Sequence, residues 1–305
     1  MEYKAPIEAY AGVVREETIG TGEKTLKLGG ENILPLHLFD EGSLPNTPSF
    51  ALEVWDMQPE DWAEYLVEPF KDVISDPVKW AKRCEDFDAD AVFLRLVSTD
   101  PAVKDSPADG AAALTKRVAE AISVPLIVYG SGDDKKDAAV LPKVAEVCDG
   151  MNLLIGPVLK ENYEVVGKAI LDHGHKASAQ SPLDINLLKE LNVKLCHFFP
   201  PERIVIDPLS SALGYGMEYS FSLMERVKQL GVIIKDSMTQ MPMIADLGAE
   251  CWKTKQAKES KEQGLLWEGM TALSLLLAGA NILVLRHPES IKLLKETIGG
   301  EVWQK

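Results

Sequence analysis

Cysteine is scarce in this chain of 305 residues, with Cys84, Cys148, Cys196 and Cys251 far apart and no C-x-x-C among them. Local iron–sulfur and zinc signatures need thiolates two to four residues apart, so that spacing excludes both and leaves isolated buried thiols. Positive charge is also short: 32 Lys and Arg stand against 47 Asp and Glu, a net charge of −15. Such a chain repels phosphate backbones and anionic lipid, which argues against nucleic-acid and membrane partners. Long apolar runs are missing too. The longest, Ala272 to Leu285, is interrupted by Gly279, Ala280 and Asn281, and spanning a bilayer takes about 20 apolar residues. Met1-Glu-Tyr-Lys-Ala-Pro6 carries no apolar core of the signal-peptide kind, so a soluble cytoplasmic protein is expected. No G-x-S-x-G, H-E-x-x-H, phosphate-binding G-x-x-x-x-G-K-[ST] or dinucleotide fingerprint occurs.

What is present is a repeated grammar: a short apolar run, a polar loop, then a helical pattern. Arg203 to Gly216 shows it best, since Ile204-Val-Ile206 stops at Asp207 and a loop rich in Ser and Gly leads to a helix near Met217. Strands of a parallel sheet are buried on both faces and so read as unbroken apolar runs. Further runs are Ala51–Asp56, Ala91–Val97, Pro125–Tyr129, Asn152–Ile155 (ending in Gly156-Pro157), a weak Lys176–Ala179, Met243–Ala245 and Asn281–Leu285. Each is followed by helical periodicity. Gly174 is placed to cap one helix in the left-handed conformation and Ser290 to cap the last. Eight such alternations predict an α/β fold, a (β/α)8 TIM barrel over residues 49–305. Residues 1–48 break the rhythm. Thr25 to Phe39 predicts two short strands around Gly29-Gly-Glu-Asn32, an N-terminal hairpin able to plug the closed end of the barrel.

Barrels of this kind build their sites where strands end. That rule selects Asp56, Thr99, Asp100, Ser131, Gln180, Ser181, Asp207, Ser210, Tyr215, Asp246, Arg286 and His287 as mouth residues. Half or more of such groups simply cap helices or bond backbone amides. Asp207 and Asp246 have the best claim to function: a carboxylate after an apolar strand can bind the N–H groups of a heterocycle, act as a general base, or cap its own loop. Gly214 and Gly216, flanking Tyr215, permit close approach to something flat or anionic. Lys253, Lys255, Lys258 and Lys261 form a cationic island near the same rim, fitted to an acidic partner or simply solvated. His173 and His175 lie at a helix end on the far face, where polar residues are favoured without a metal. His37 and His197 have no recognisable partner. No catalytic set and no metal site emerges from these residues.

Taken together and in order, several segments carry a resemblance. They are Phe50-Ala-Leu-Glu-Val-Trp-Asp56, Phe93-Leu-Arg-Leu-Val-Ser-Thr99, Leu126-Ile-Val-Tyr-Gly-Ser-Gly132, Arg203-Ile-Val-Ile-Asp-Pro208 and Leu213-Gly-Tyr-Gly216. Over nearly its whole length the chain resembles the small, or delta, subunit of the corrinoid iron–sulfur protein of the acetyl-CoA decarbonylase/synthase system. The resemblance implies a heterodimer in which the large subunit carries a [4Fe–4S] cluster and the cobalamin, while the barrel mouth encloses the corrinoid at the interface. It also implies two further partners, a methyltetrahydrofolate:corrinoid methyltransferase and acetyl-CoA synthase, between which the methyl group passes. The D-x-H-x-x-G motif of many cobalamin domains is missing at all five histidines, so this chain would touch the cofactor without ligating cobalt. The expected contacts are Ser98, Ser131, Gln180, Asp207, Ser210, Gly214, Tyr215, Gly216 and Asp246. A pterin-binding methyltransferase acting on methyltetrahydrofolate is the alternative, built on a similar barrel. The third and fourth strands lack the Asn that such enzymes place at their ends. A scaffold with an inert mouth is the third reading.

Overall fold

The computed structural model describes residues 8–36 and 41–299. An antiparallel hairpin, β1 (Glu17–Thr21) and β2 (Lys24–Leu28), comes first. Eight parallel strands follow: β3 (Ser49–Trp55), β4 (Ala91–Arg95), β5 (Leu126–Tyr129), β6 (Leu154–Val158), β7 (Lys176–Gln180), β8 (Ile204–Asp207), β9 (Ile244–Asp246) and β10 (Ile282–Leu285). They lie in the order β8-β7-β6-β5-β4-β3-β10-β9. A parallel bridge from Ile206 to Met243 and the bond from Ile206 N–H to Pro242 O (2.8 Å) join β8 to the entry of β9, closing the barrel. The helices between them are α1 (Glu64–Val67), α2 (Pro77–Asp86), α3 (Ala108–Ala121), α4 (Asp134–Val147), α5 (Tyr163–Asp172), α6 (Ile185–Cys196), α7 (Met217–Val232), α8 (Gly248–Lys253), α9 (Lys261–Leu277) and α10 (Pro288–Ile298). No helix among the described residues is long and apolar enough to cross a membrane.

Helix starts follow from sequence chemistry. Asp76, Asp133, Asp184 and Ser260 each accept hydrogen bonds from the first free amides of α2, α4, α6 and α9. The expectation for the last helix is corrected. His287, not Ser290, caps α10, its Nδ1 accepting from Glu289 N–H at 3.1 Å. Ser290 is buried and donates instead to Glu268 at 2.6 Å. Gly174, at φ +80°, closes α5 as expected, and His175 N–H reaches back to Ile170 O.

Side-chain alternation splits the strands between two cores. Phe50, Leu52, Val54, Val92, Leu94, Val128, Ile155 and Ile206 face the helices. Ala51, Phe93, Ile127, Leu154, Val205, Ile244 and Val284 face the barrel axis, in one cluster with Ile19 and Leu28 of the hairpin. The hairpin therefore plugs the end of the barrel at which the strands begin, as the sequence suggests. Its position is corrected, however. The turn is at Gly22, and residues 31–36 form no strand, while His37 and the rest of 37–40 lie outside the described residues. Gly29, at φ +77°, serves a different need: a Cβ there would lie 2.0 Å from Arg15 O. The fourth barrel strand is also corrected, because β6 runs through Gly156 and Pro157 with a register shift between Ile155 and Val158.

His173 and His175 part company: His173 is partly exposed, with Nδ1 2.8 Å from Asp149, while His175 belongs to the core. His175 is fully buried; its Nδ1 accepts from Leu153 N–H at 3.1 Å and its Nε2 faces Ala145 O at 3.0 Å. Burial pushes its pKa down to about 4. The imidazole is therefore neutral when folded but titrates near 6.5 when unfolded, so its stabilisation is whole above that value and fades as pH falls towards 4. We predict that His175→Gln removes about one proton from the pH dependence of unfolding in that window. Urea melts at pH 7 and pH 4.5 check this, and an unchanged slope contradicts it.

The barrel mouth as a candidate functional site

The interior rows climb the barrel in steps of two residues, and the last step changes chemistry. Ala51 gives way to Glu53, Phe93 to Arg95, Ile127 to Tyr129, Val205 to Asp207, Ile244 to Asp246 and Val284 to Arg286. An apolar plug thus ends in a polar layer at the mouth. One half of that layer is a charge network. Glu53, with no exposed surface, binds Arg95 Nε at 2.6 Å and Arg286 Nε at 2.5 Å, and it accepts from Trp55 Nε1 at 2.9 Å. Arg95 also binds Asp246. Arg286 lies over the rings of Trp62 (4.7 Å) and Trp55 (5.4 Å). Two acids meet two guanidinium groups, so the cluster is neutral as a whole. Burial alone would raise the pKa of Glu53, but Arg286 and Arg95 outweigh it and hold the carboxyl well below its usual range. Glu268 fixes the backbone above, accepting from Arg286 N–H (2.7 Å), His287 N–H (3.2 Å) and Trp252 Nε1 (2.9 Å).

The other half centres on Asp207. Its Oδ2 accepts from Tyr129 Oη (2.9 Å) and Gln180 Nε2 (2.8 Å), and its Oδ1 from Leu209 N–H (3.0 Å). Tyr129 Oη also lies 2.5 Å from Ser178 Oγ. Burial pushes the Asp207 pKa up to about 6, with Gln180 opposing and Asp246 adding to the shift. Of the roles the sequence left open for Asp207, the structure displays the cap on its own loop, and it adds the hold on Tyr129 and Gln180.

The structure joins Gln180 and Asp207 directly and ties Asp246 to the network of Glu53. It does not bring Ser98 or Ser131 into contact with them. Ser98 donates its N–H and Oγ to Asp56, at 2.8 and 2.5 Å. Ser131 is held by buried Asp137, which accepts from the amides of Ser131 (2.8 Å) and Gly132 (3.0 Å). Thr99 bonds Leu96 O, and Asp100 accepts from Ala102 N–H. Ser181 and Ser210 are buried with hydroxyls that find no partner among the described residues. Gly214 and Gly216 take φ of +76° and +102°, shaping the loop that presents Tyr215. Tyr215 is half exposed, and its hydroxyl donates to Gln256 at 2.9 Å, bridging the loops after β8 and β9. In the cationic island, Lys253 pairs with Glu250 and Lys261 with Glu289.

Comparison with known proteins bears on this barrel at three levels. A family model described as CO dehydrogenase/acetyl-CoA synthase delta subunit matches residues 16–298. The chain belongs to that family. It is 35% identical to the acetyl-CoA decarbonylase/synthase complex subunit delta of Archaeoglobus fulgidus, over 97% of this chain and 70% of that one. Against the Methanocaldococcus jannaschii subunit delta it is 33% identical, over 97% and 76% respectively. The subunit delta 2 of Methanosarcina acetivorans is 35% identical, over 91% of this chain and 66% of its own length. The chain thus spans about two thirds to three quarters of these relatives. Among solved structures, Xanthomonas albilineans dihydropteroate synthase with 4-aminobenzoic acid superposes with a TM-score of 0.60 at 14% identity, over 88% of this chain and 98% of that one. The Burkholderia cenocepacia dihydropteroate synthase complexed with 7,8-dihydropteroate gives 0.59 at 16%, over 89% and 99%. At such identities the likeness carries the barrel fold alone.

For this member of the delta-subunit family, sequence reasoning missed Glu53, Arg95, Tyr129, Ser178 and Asp137. The available signal was a charge inside an apolar run, Glu in Phe50–Trp55 and Arg in Phe93–Val97, because a charge buried in a strand requires a partner. Asp137 yields a prediction. Asp137→Ala leaves two amides and the Ser131 hydroxyl without their acceptor, and we expect a loss of about 2–3 kcal/mol on chemical denaturation. A loss below about 0.5 kcal/mol would mean that water replaces the carboxylate.

Proposed function

We propose that this barrel caps a corrinoid held by a larger subunit of an acetyl-CoA decarbonylase/synthase complex. It does so while a methyl group travels from methyltetrahydrofolate, by way of a methyltransferase, to acetyl-CoA synthase. The observation that carries the reading is the chemistry of the mouth. Its charges cancel within the group Glu53, Arg95, Asp246 and Arg286, the Asp207 carboxyl is held by Tyr129, Gln180 and Leu209 N–H, and neutral donors and acceptors line the rim after β7 and β8. A corrin ring presents an apolar face bordered by neutral carboxamides. The unpartnered hydroxyls of Ser181 and Ser210, with Gln180 and the exposed Tyr215 and Leu209, suit such a border. A bound corrinoid would supply the cobalt that receives and releases the methyl group. The chain's own residues bind and orient the ring edge and exclude water. The [4Fe–4S] cluster belongs, on this reading, to the large subunit.

A pterin-binding methyltransferase has one observation in its favour: Asp246 Oδ1 is buried and unpartnered. Against it, both oxygens of Asp207 are already committed. The test is co-expression with the large subunit, followed by visible spectra of the complex and of this chain alone. Corrinoid colour in the complex only, and loss of methylation on altering the rim, are the expected results. Methyl transfer from methyltetrahydrofolate to free cobalamin by this chain alone would establish the pterin reading instead.

A further inference from the structure

We infer that a pocket at one side of the mouth is a subsite for a neutral primary carboxamide carried on a short apolar stem. The pocket has a volume of about 320 Å3 and lies where the loops after β6, β7 and β8 meet α6. Leu159, Leu187, Leu191 and Leu209 give it apolar walls, and Gln180 and Ser181 give it its polar end. Ser181 is 3% exposed and its Oγ has no hydrogen-bond partner among the described residues, although it is both donor and acceptor. A buried hydroxyl left in that state costs stability that a ligand recovers. Gln180 supplies the second group. Its amino end is committed to Asp207 at 2.8 Å, which leaves its carbonyl oxygen as the free acceptor.

Those two groups define the ligand. One acceptor and one donor–acceptor hydroxyl match an N–H donor beside a carbonyl, the two faces of a primary amide. The walls call for aliphatic carbon behind it. The two charged residues of the lining, Lys160 and Glu161, are exposed at the rim; Lys160 is paired with Glu190 at 3.1 Å, and the Glu161 carboxylate disfavours an anionic ligand. Two sources offer this chemistry, an amide arm of the corrinoid or an Asn or Gln side chain of the subunit that holds it. The assignment of those sources rests on the capping function proposed above; the pocket's preference for an amide does not.

The experiment is a methyl-NMR titration of the full chain with propionamide and, separately, with propionate. Saturable shifts at Leu187, Leu191 and Leu209 with propionamide, absent with propionate, are expected. Ser181→Ala should weaken binding about fivefold to tenfold, the size of one lost hydrogen bond, and Ser181→Leu should abolish it by filling the space. No saturable shift, or an equal response to propionate, overturns the inference. A second arm uses the complex. If Ser181→Leu lowers retention of a corrinoid with intact amides but not of one hydrolysed to carboxylates, the arm of the ring is the occupant. If it weakens subunit association equally with and without corrinoid, the occupant is a partner side chain. Should the cap itself be wrong, rim variants outside this pocket will leave methyl transfer untouched while the propionamide shifts persist.

Discussion

Glu53→Ala is expected to cost about 3–5 kcal/mol of stability, the loss that follows when one member of a buried ion pair is removed and its partner stays charged. Glu53 has no exposed surface, and Arg286 has 8% of its side chain exposed. Arg95 keeps Asp246, but among the described residues Arg286 keeps only the faces of Trp55 and Trp62. Cation–π contact of this kind is worth about 0.5–2 kcal/mol, which does not replace the hydrogen-bonded carboxylate of Glu53. Glu53→Gln retains shape and loses charge, so it should fall between the variant and the native chain. Replacing both Glu53 and Arg286 by Met should restore much of the loss, because the desolvation of both ions disappears with them. Urea unfolding followed by circular dichroism measures all three. A loss under about 1 kcal/mol for Glu53→Ala would mean that water reaches the network and that the mouth is open rather than sealed beneath its rim.

The same residue shows how far the sequence could be read. The apolar runs of β3, β4, β5, β8 and β10 were legible because burial on both faces leaves no alternation to confuse. The run at β7, Lys176–Gln180, was weak for a reason visible in the fold: its inward position is Ser178, which serves Tyr129 rather than packing. The hairpin was misplaced because Glu17–Thr21 and Lys24–Leu28 are largely polar, with Ile19, Leu26 and Leu28 alone entering the plug. The Gly29-Gly30 pair looked like the stronger turn, yet Gly29 is required where the chain crosses Arg15. Strand-end acids such as Asp207 were found because position alone points to them. Their partners were not, since the pairing of Gln180 with Asp207, or of Arg95 with Asp246, is a property of neighbouring strands that no local pattern encodes.

A charge placed on the rim is the severest test of the capping proposal. Ser210 is 9% exposed, and its hydroxyl has no partner among the described residues. Its loop follows Asp207, whose carboxyl already titrates near 6 through burial and the neighbouring Asp246. Ser210→Asp therefore adds a further acid beside the Asp207 carboxyl, outside the group Glu53, Arg95, Asp246 and Arg286 whose charges cancel. Against an apolar, amide-bordered ring that carboxylate loses its hydration and gains no cation, a penalty of several kcal/mol. If about 3 kcal/mol of it is felt in the transfer step, the rate of methyl transfer in the assembled complex falls about 100-fold. Ser210→Ala, which removes one neutral contact to the ring border, should slow the transfer by no more than about tenfold, the size of one lost hydrogen bond. The measurement is stopped-flow formation of the methylated corrinoid in the complex, with subunit association checked by gel filtration. Raising the pH from 6 to 8 should deepen the defect of the acidic variant, since the folded Asp207 and any acid beside it ionise over that range. Equal rates for Ser210→Asp and the native complex would show that the mouth never meets the reacting ring. The neutral charge network would then be explained by folding alone.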